Sequence, residues 1–312
     1  MSIRVQSIFG AAWLAAVAAA SIWAGDISGP VTGYVFDASA RQVRPVLGIP
    51  GASTMGRPLD LGLDLSMAAV APAQDYLLAG GSDGQTRLVL LSGGVTAKPF
   101  DALHGVPARI AFSPRGTAAV LVNADTADVY TGLPGSPALA RTLAVAQRPG
   151  SLAVTDDGEV VLAVFGDVLS VAGGGAEWKM VDGAGAVALV AFAPAARTAA
   201  VVSTAGAVAL YKAMPDSGDP SVLAPENGVT APTSVGFSAK GKVLVASPDT
   251  RTVTILDPDG GAPVKVPCSC APTGLVAMGS LFRLNELSDA PLWLLDSSAD
   301  APRLFFVPVA LQ

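Results

Sequence analysis

Between residue 67 and the C-terminus the same local grammar returns six times, and no other feature of this 312-residue chain restricts its fold as tightly. The unit is plainest in TSVGFSAKGKVLVASPDTRTVTILDPDGGAPVKVP, residues 233–267. Val235 and Phe237 alternate with small or polar neighbours, and Ala239-Lys240-Gly241 turns the chain. Val243 to Ala246 reads as a second strand broken by Pro248-Asp249, and Thr252 to Leu256 as a third. Asp257-Pro258-Asp259-Gly260-Gly261 is a strong turn signal, followed by a fourth strand, Val264 to Val266. Short apolar runs bounded by Gly, Pro and Asp are strands joined by tight turns, here an antiparallel meander. First strands start near 67, 108, 150, 187, 232 and 272, in steps of 41, 42, 37, 45 and 40. A four-stranded unit at such a period points to small sheets arranged radially, a β-propeller.

Phe112-Ser113-Pro114-Arg115-Gly116 and Phe237-Ser238-Ala239-Lys240-Gly241-Lys242 each end a strand in a turn, and Val253-Thr254-Ile255-Leu256-Asp257 forms a third strand. These units resemble the bacterial YVTN and WD40-like propeller repeats, in which a strand ending in Ser-Pro-Asp-Gly-Lys turns into a Val-rich strand. The resemblance covers nearly all of the chain beyond residue 24, although the Trp-Asp dipeptide of true WD40 blades is absent. It implies that partners bind at the face carrying the loops between one blade's last strand and the next blade's first.

Forty-one residues before 67 lies residue 26, and 26–312 is 287 residues, or seven periods of 41. Within this span Gly33 to Asp37 and Gln42 to Leu47 read as a hairpin, which is marginal alone in water. We therefore expect an all-β chain, a seven-bladed β-propeller of four-stranded antiparallel blades with a shortened first blade. The hairpin would form the outer strands of that blade, and the ring would close against Phe305-Phe306-Val307. Six blades with the hairpin as an appendage is the alternative.

Residues 1–24 stand apart. Arg4 precedes the apolar run Ile8 to Ala24, which ends in small residues before Gly25-Asp26. This is the layout of a secretory signal peptide, with cleavage after Ala20 or Ala24. The alternative is an uncleaved anchor, since 17 residues is at the lower limit for a span. No Cys lies near the site and no twin-Arg pair precedes it, so neither a lipoprotein nor a twin-arginine signal is indicated. Residues 25–312 would then be the propeller domain of a periplasmic or secreted monomer. Loss of Arg4 leaves 18 basic against 25 acidic residues. An acidic surface without a basic cluster repels phosphate backbones and anionic lipid, so nucleic acid and membranes are not expected partners.

Chemistry is sparse. The inter-blade loops read as 48–65, 101–107, 146–149, 182–186, 225–232 and 267–272. They offer Arg57, Asp60, His104, Arg148 and Asn227 as binding-face candidates. The first loop is the longest; it is either a lid or a bridge from the shortened blade to the next. Cys268 and Cys270 are the only cysteines. They are candidates for a short disulfide, with free thiols or a soft metal as the other readings, but a metal lacks further ligands. Gly80-Gly81-Ser82-Asp83-Gly84 matches the G-x-S-x-G pattern, yet it joins two strands, where Ser-Asp-Gly is ordinary turn chemistry. Asp156-Asp157-Gly158 and Asp257-Pro258-Asp259-Gly260 read as turns, not calcium loops. His104, the single histidine, has Asp101 three residues before it; a general-base role or a solvated loop position both fit.

The sequence thus points to a non-catalytic binding or protein-interaction module for a protein or small-molecule ligand, without catalytic residues, cofactor or metal. A propeller hydrolase or lyase using inter-blade loop residues is the alternative, and a structural component of the cell envelope the third reading. Export in a bacterial host should yield a protein shortened by residues 1–20 or 1–24 in intact-mass spectrometry. A full-length N-terminus in the membrane fraction would overturn the leader.

Overall fold

A computed structural model describes residues 29–92, 95–100, 105–299 and 301–309. The candidate leader, residues 1–24, and His104 lie outside the described residues. Regular structure among the described residues is all β, and none of them belongs to a helix long and apolar enough to cross a membrane.

Seven antiparallel sheets follow one another along the chain. The first has three strands, β1 (Val31–Asp37), β2 (Gln42–Ile49) and β3 (Ala52–Met55). The second contains β4 (Leu65–Val70), β5 (Tyr76–Gly81), β6 (Thr86–Leu90) and β7 (Thr96–Pro99). The third contains β8 (Arg109–Phe112), β9 (Ala118–Val122), β10 (Thr126–Thr131) and β11 (Ala138–Ala144). The fourth runs through β12 (Ser151–Val154), β13 (Val160–Phe165), β14 (Val168–Gly173) and β15 (Lys179–Met180). The fifth runs through β16 (Val187–Phe192), β17 (Ala199–Ser203), β18 (Val208–Tyr211) and β19 (Ser221–Ala224). The sixth has β20 (Ser234–Phe237), β21 (Val243–Ser247), β22 (Thr252–Leu256) and β23 (Val264–Pro267). The seventh has β24 (Val276–Met278), β25 (Leu281–Arg283), β26 (Leu292–Asp296) and β27 (Arg303–Val307).

Second strands show why the sequence is so apolar. In β9 every side chain is fully buried: Ala118, Val120 and Val122 pack toward the fourth blade, and Ala119 and Leu121 toward the second. β13 divides likewise, with Val160, Leu162 and Val164 on one face and Val161 and Ala163 on the other. Side chains alternate across a strand, so a strand flanked by sheets on both faces needs an unbroken apolar run. Each pair of neighbouring blades shares one apolar cluster, seven among the described residues. One joins Val35, Val46 and Met55 of the first blade to Met278, Leu292, Leu294 and Val307 of the last. That cluster closes the ring, and the fold is a seven-bladed β-propeller.

Hydrogen bonds between residues about forty apart fix the blades in phase. Ser151 Oγ accepts the Val190 N–H at 3.0 Å, and Ser234 Oγ accepts the Leu275 N–H at 3.0 Å. Tyr76 donates its hydroxyl proton to the Gly116 carbonyl at 2.6 Å. These bonds join start to start and turn to turn, so the first strands run in one direction around the axis.

One expectation is corrected. β1 and β2 are the innermost and second strands of the first blade, not its outer ones. β1 touches the first strands of both neighbours, β4 and β24, which requires it at the axis. The third strand, β3, lies inside the stretch read as an inter-blade loop. Its sequence ASTM holds a single large apolar residue, so it carries no strand signal. Beyond β3 the chain stays tied to β2, with Gly56 N–H on the Pro45 carbonyl and Leu59 N–H on the Val43 carbonyl, both 2.8 Å. Leu59, Leu61 and Leu63 pack into the interface between the first two blades. The long connection fills a gap there.

Closure depends on Gly33, where a Cβ would run into Met278 Cγ and sit 2.9 Å from Gln74 Oε1. That oxygen accepts the Tyr34 N–H at 2.7 Å, and Gln74 Nε2 donates to the Ala71 carbonyl at 3.0 Å. Gly33→Ala should therefore destabilise the domain by about 1–3 kcal/mol through overpacking. Met278→Ala alone opens a cavity, and the double variant should cost less than the two single losses added together, because the two sites share one contact. Urea unfolding of the two single variants and the double variant reads the coupling; simple additivity would show that the joint does not depend on this approach.

Candidate functional site

Seven parallel first strands enclose a cavity of about 870 Å³ along the axis. Its wall is apolar because these strands are short and rich in Ala, Val and Phe. Tyr34, Phe36, Phe112, Phe192, Phe237 and Phe282 border it from five blades, the last three being largely packed between blades. The turns after the first strands contribute Pro72, Pro114, Pro194 and Ala239, so most of the loop residues around the cavity come from the turn face. Charge at the cavity comes from Arg109, Arg115, Arg283 and Glu286.

Arg109 opens β8 and is the only charged residue in the first strands of blades two to seven. Its Nη1 donates to the Pro149 and Gly150 carbonyls at 2.9 and 3.0 Å, bracing the third blade against the fourth. Burial pushes its pKa down from the ordinary arginine value, and the like charge of Arg148 pushes it the same way. Arg283 is paired with β24 at Val276 and so lies at the same end of the axis. Its Nη2 is 2.8 Å from Glu286 Oε1, with the arginine side chain 12% and the glutamate 72% exposed.

At the opposite end, Asp156 ties three turns together. Its carboxylate accepts the Arg115 N–H at 2.7 Å and the Ala195 N–H at 2.8 Å, and its carbonyl accepts the Thr117 hydroxyl at 2.6 Å. This supports the turns of Arg115 and Pro194 beside the cavity. The segment Asp156-Asp157-Gly158 is a turn between β12 and β13.

None of Arg57, Asp60, Arg148 and Asn227 lines the axial cavity, and all four are exposed. Asp60 accepts the Gly62 N–H at 3.0 Å and borders a separate cleft of about 320 Å³ that includes Arg41 and Pro58. Arg57 sits nearby on the same connection. Asn227 has a left-handed backbone, φ 58°, and donates its N–H to the Ala205 carbonyl at 2.8 Å. Arg148 lies close enough to Arg109 to influence its charge. The candidates therefore fall at separate places around the ring.

Cys268 and Cys270 form a disulfide in the structure, with Cα atoms 5.0 Å apart. A bend at Ser269 and Cys270 shortens the extended spacing. Both cysteines are nearly buried in the cluster between the sixth and seventh blades, and Cys268 N–H donates to the Arg251 carbonyl at 2.8 Å. Ser82 occupies a hairpin turn between β5 and β6, and its hydroxyl donates to Asp64. Among the described residues no group of His, Cys, Asp and Glu is arranged to hold a metal ion.

No protein-family model matches the chain, and no curated protein matches it in sequence. Solved structures do match, 1227 chains in all. One is PorZ, described as an essential bacterial surface component of the type-IX secretion system of Porphyromonas gingivalis. It is 15% identical with a TM-score of 0.56 over 90% of this chain, which spans only 38% of PorZ. Another is hydrazine synthase of Kuenenia stuttgartiensis, 13% identical with a TM-score of 0.52, covering 92% of this chain and 99% of that one. A third is virginiamycin B lyase from Staphylococcus aureus, 10% identical with a TM-score of 0.54 over 80% and 88% of the two chains. What they share is the propeller.

Sequence reasoning missed these axial residues because it looked to the inter-blade loops. The available signal was Arg109, a lone charge where every other repeat has an apolar or small polar residue. Asp156→Asn should lower stability by about 1–2 kcal/mol, since one of two amide donors loses its carboxylate oxygen. Chemical denaturation and amide exchange at Arg115 and Ala195 measure it. Unchanged protection at both amides would show that the carboxylate does not brace these turns.

Proposed function

We propose that this chain is an exported, non-catalytic binding module of the YVTN and WD40-like kind, which takes its ligand into the axial cavity. The observation that carries this reading is the cavity itself. Its size falls within the range of about 300–1,000 Å³ of small-molecule sites, and most of its lining residues are apolar, with polar and charged groups among them. Export rests on the sequence of residues 1–24, and the family on the turn segments at Ser113-Pro114-Arg115-Gly116 and Ser238-Ala239-Lys240-Gly241-Lys242.

The protein beginning at Gly25 should bind one equivalent of the neutral apolar dye Nile red, saturably. Phe112→Ala removes one ring from the wall and should weaken binding about five- to thirtyfold, about 1–2 kcal/mol, while its fold is retained by circular dichroism. Dye uptake that never saturates, or that is indifferent to Phe112, would sink the reading.

A further inference from the structure

The cavity has the opposite charge sign to the molecule around it. The chain carries 25 acidic against 19 basic residues, yet among the described residues the cavity lining holds three arginines, one glutamate and no aspartate. Arg109 is half-buried, and no carboxylate among the described residues pairs with it. Two carbonyls take its Nη1, its Nε and Nη2 donate to no described residue, and the charge beside it is Arg148. Partial burial of a cation beside a like charge is costly unless an anion completes the site. At the same end Arg283 is almost enclosed, while its partner Glu286 extends into solvent. Below these two arginines the wall is hydrocarbon and aromatic. Arg109 to Phe112 is extended chain, about 10 Å long, and the turn carrying Pro114 and Arg115 lies beyond it at the other end of the passage.

We infer that the ligand is an elongated amphipathic anion, a single acyl chain with an anionic headgroup. Its head meets Arg109 and Arg283 at one mouth, and its tail lies along the aromatic wall. The inference rests on the axial cavity being the binding site and adds the chemical class of its occupant. Arginine suits such a headgroup because its planar fork donates paired hydrogen bonds to carboxylate and phosphate alike. The apolar wall supplies binding that does not depend on the head, so head and tail can be tested separately.

The test uses the protein beginning at Gly25 loaded with a dansyl-labelled undecanoic acid. Palmitate, hexadecyl phosphate and hexadecanol, each below its aggregation limit, compete for the site. Both anions should displace the probe at least about tenfold better than the alcohol, the worth of one charge-assisted contact. Arg109→Gln and Arg283→Gln should each shrink that advantage without altering displacement by hexadecanol. Because Arg109 also braces two blades, Arg283→Gln carries the test if the first variant fails to fold. Equal displacement by alcohol and anions overturns the anionic head and leaves the cavity reading standing. Displacement by hexaglutamate but by none of the acyl compounds overturns the lipid-like tail. Failure of every competitor, together with failure of Nile red to bind, removes the cavity reading as well.

Discussion

Burial of both faces of every blade is the constraint on which the rest of this structure depends. A sheet with two apolar faces is stable only between two others, and a linear array would leave one bare face at each end. The chain removes both ends by bringing β1 against β24 and the Val35 side of the first blade against Met278 and Leu292 of the last. Gly33 makes that approach possible, and the turn carrying Pro72 and Gln74 spans it, bonding Tyr34 on one side and Gly279 on the other. The axial cavity follows from the same closure, because seven first strands held in phase leave a space that their short side chains do not fill.

Much of this architecture was legible in the sequence. The period near 41 and the apolar second strands, such as Ala118 to Val122 and Val160 to Val164, have a single physical meaning, burial on both faces. The blade count followed from division of the length. The arrangement of the first blade was not legible. β3 is small and polar, and the leucines at 59, 61 and 63 alternate like a strand although they plug an interface between blades. A tertiary gap, which no local pattern records, decided their role.

The site was harder still. An aromatic residue that ends a first strand, such as Phe112 or Phe237, reads as core, and it is core on one side while lining the cavity on the other. Only charge departs from the repeat, and Arg109 departs by being where its counterparts are Ser151 and Ser234. Those serines accept a backbone N–H from the next blade, whereas Arg109 donates to carbonyls there. The same inter-blade brace is thus built with reversed polarity, which brings a positive charge to the axis.

Neither end of the described chain lends a strand to the other's sheet. β1 to β3 are consecutive, and so are β24 to β27, so the closing joint is a seam of packed faces like the other six. No ladder is shared across it. In the language of topology, the six connections join whole blades end to end, and the five beyond the first, which plugs an interface, are places to open the loop. A circularly permuted chain, rejoined at the present seam and begun at another connection, would cut no sheet and would keep every blade whole.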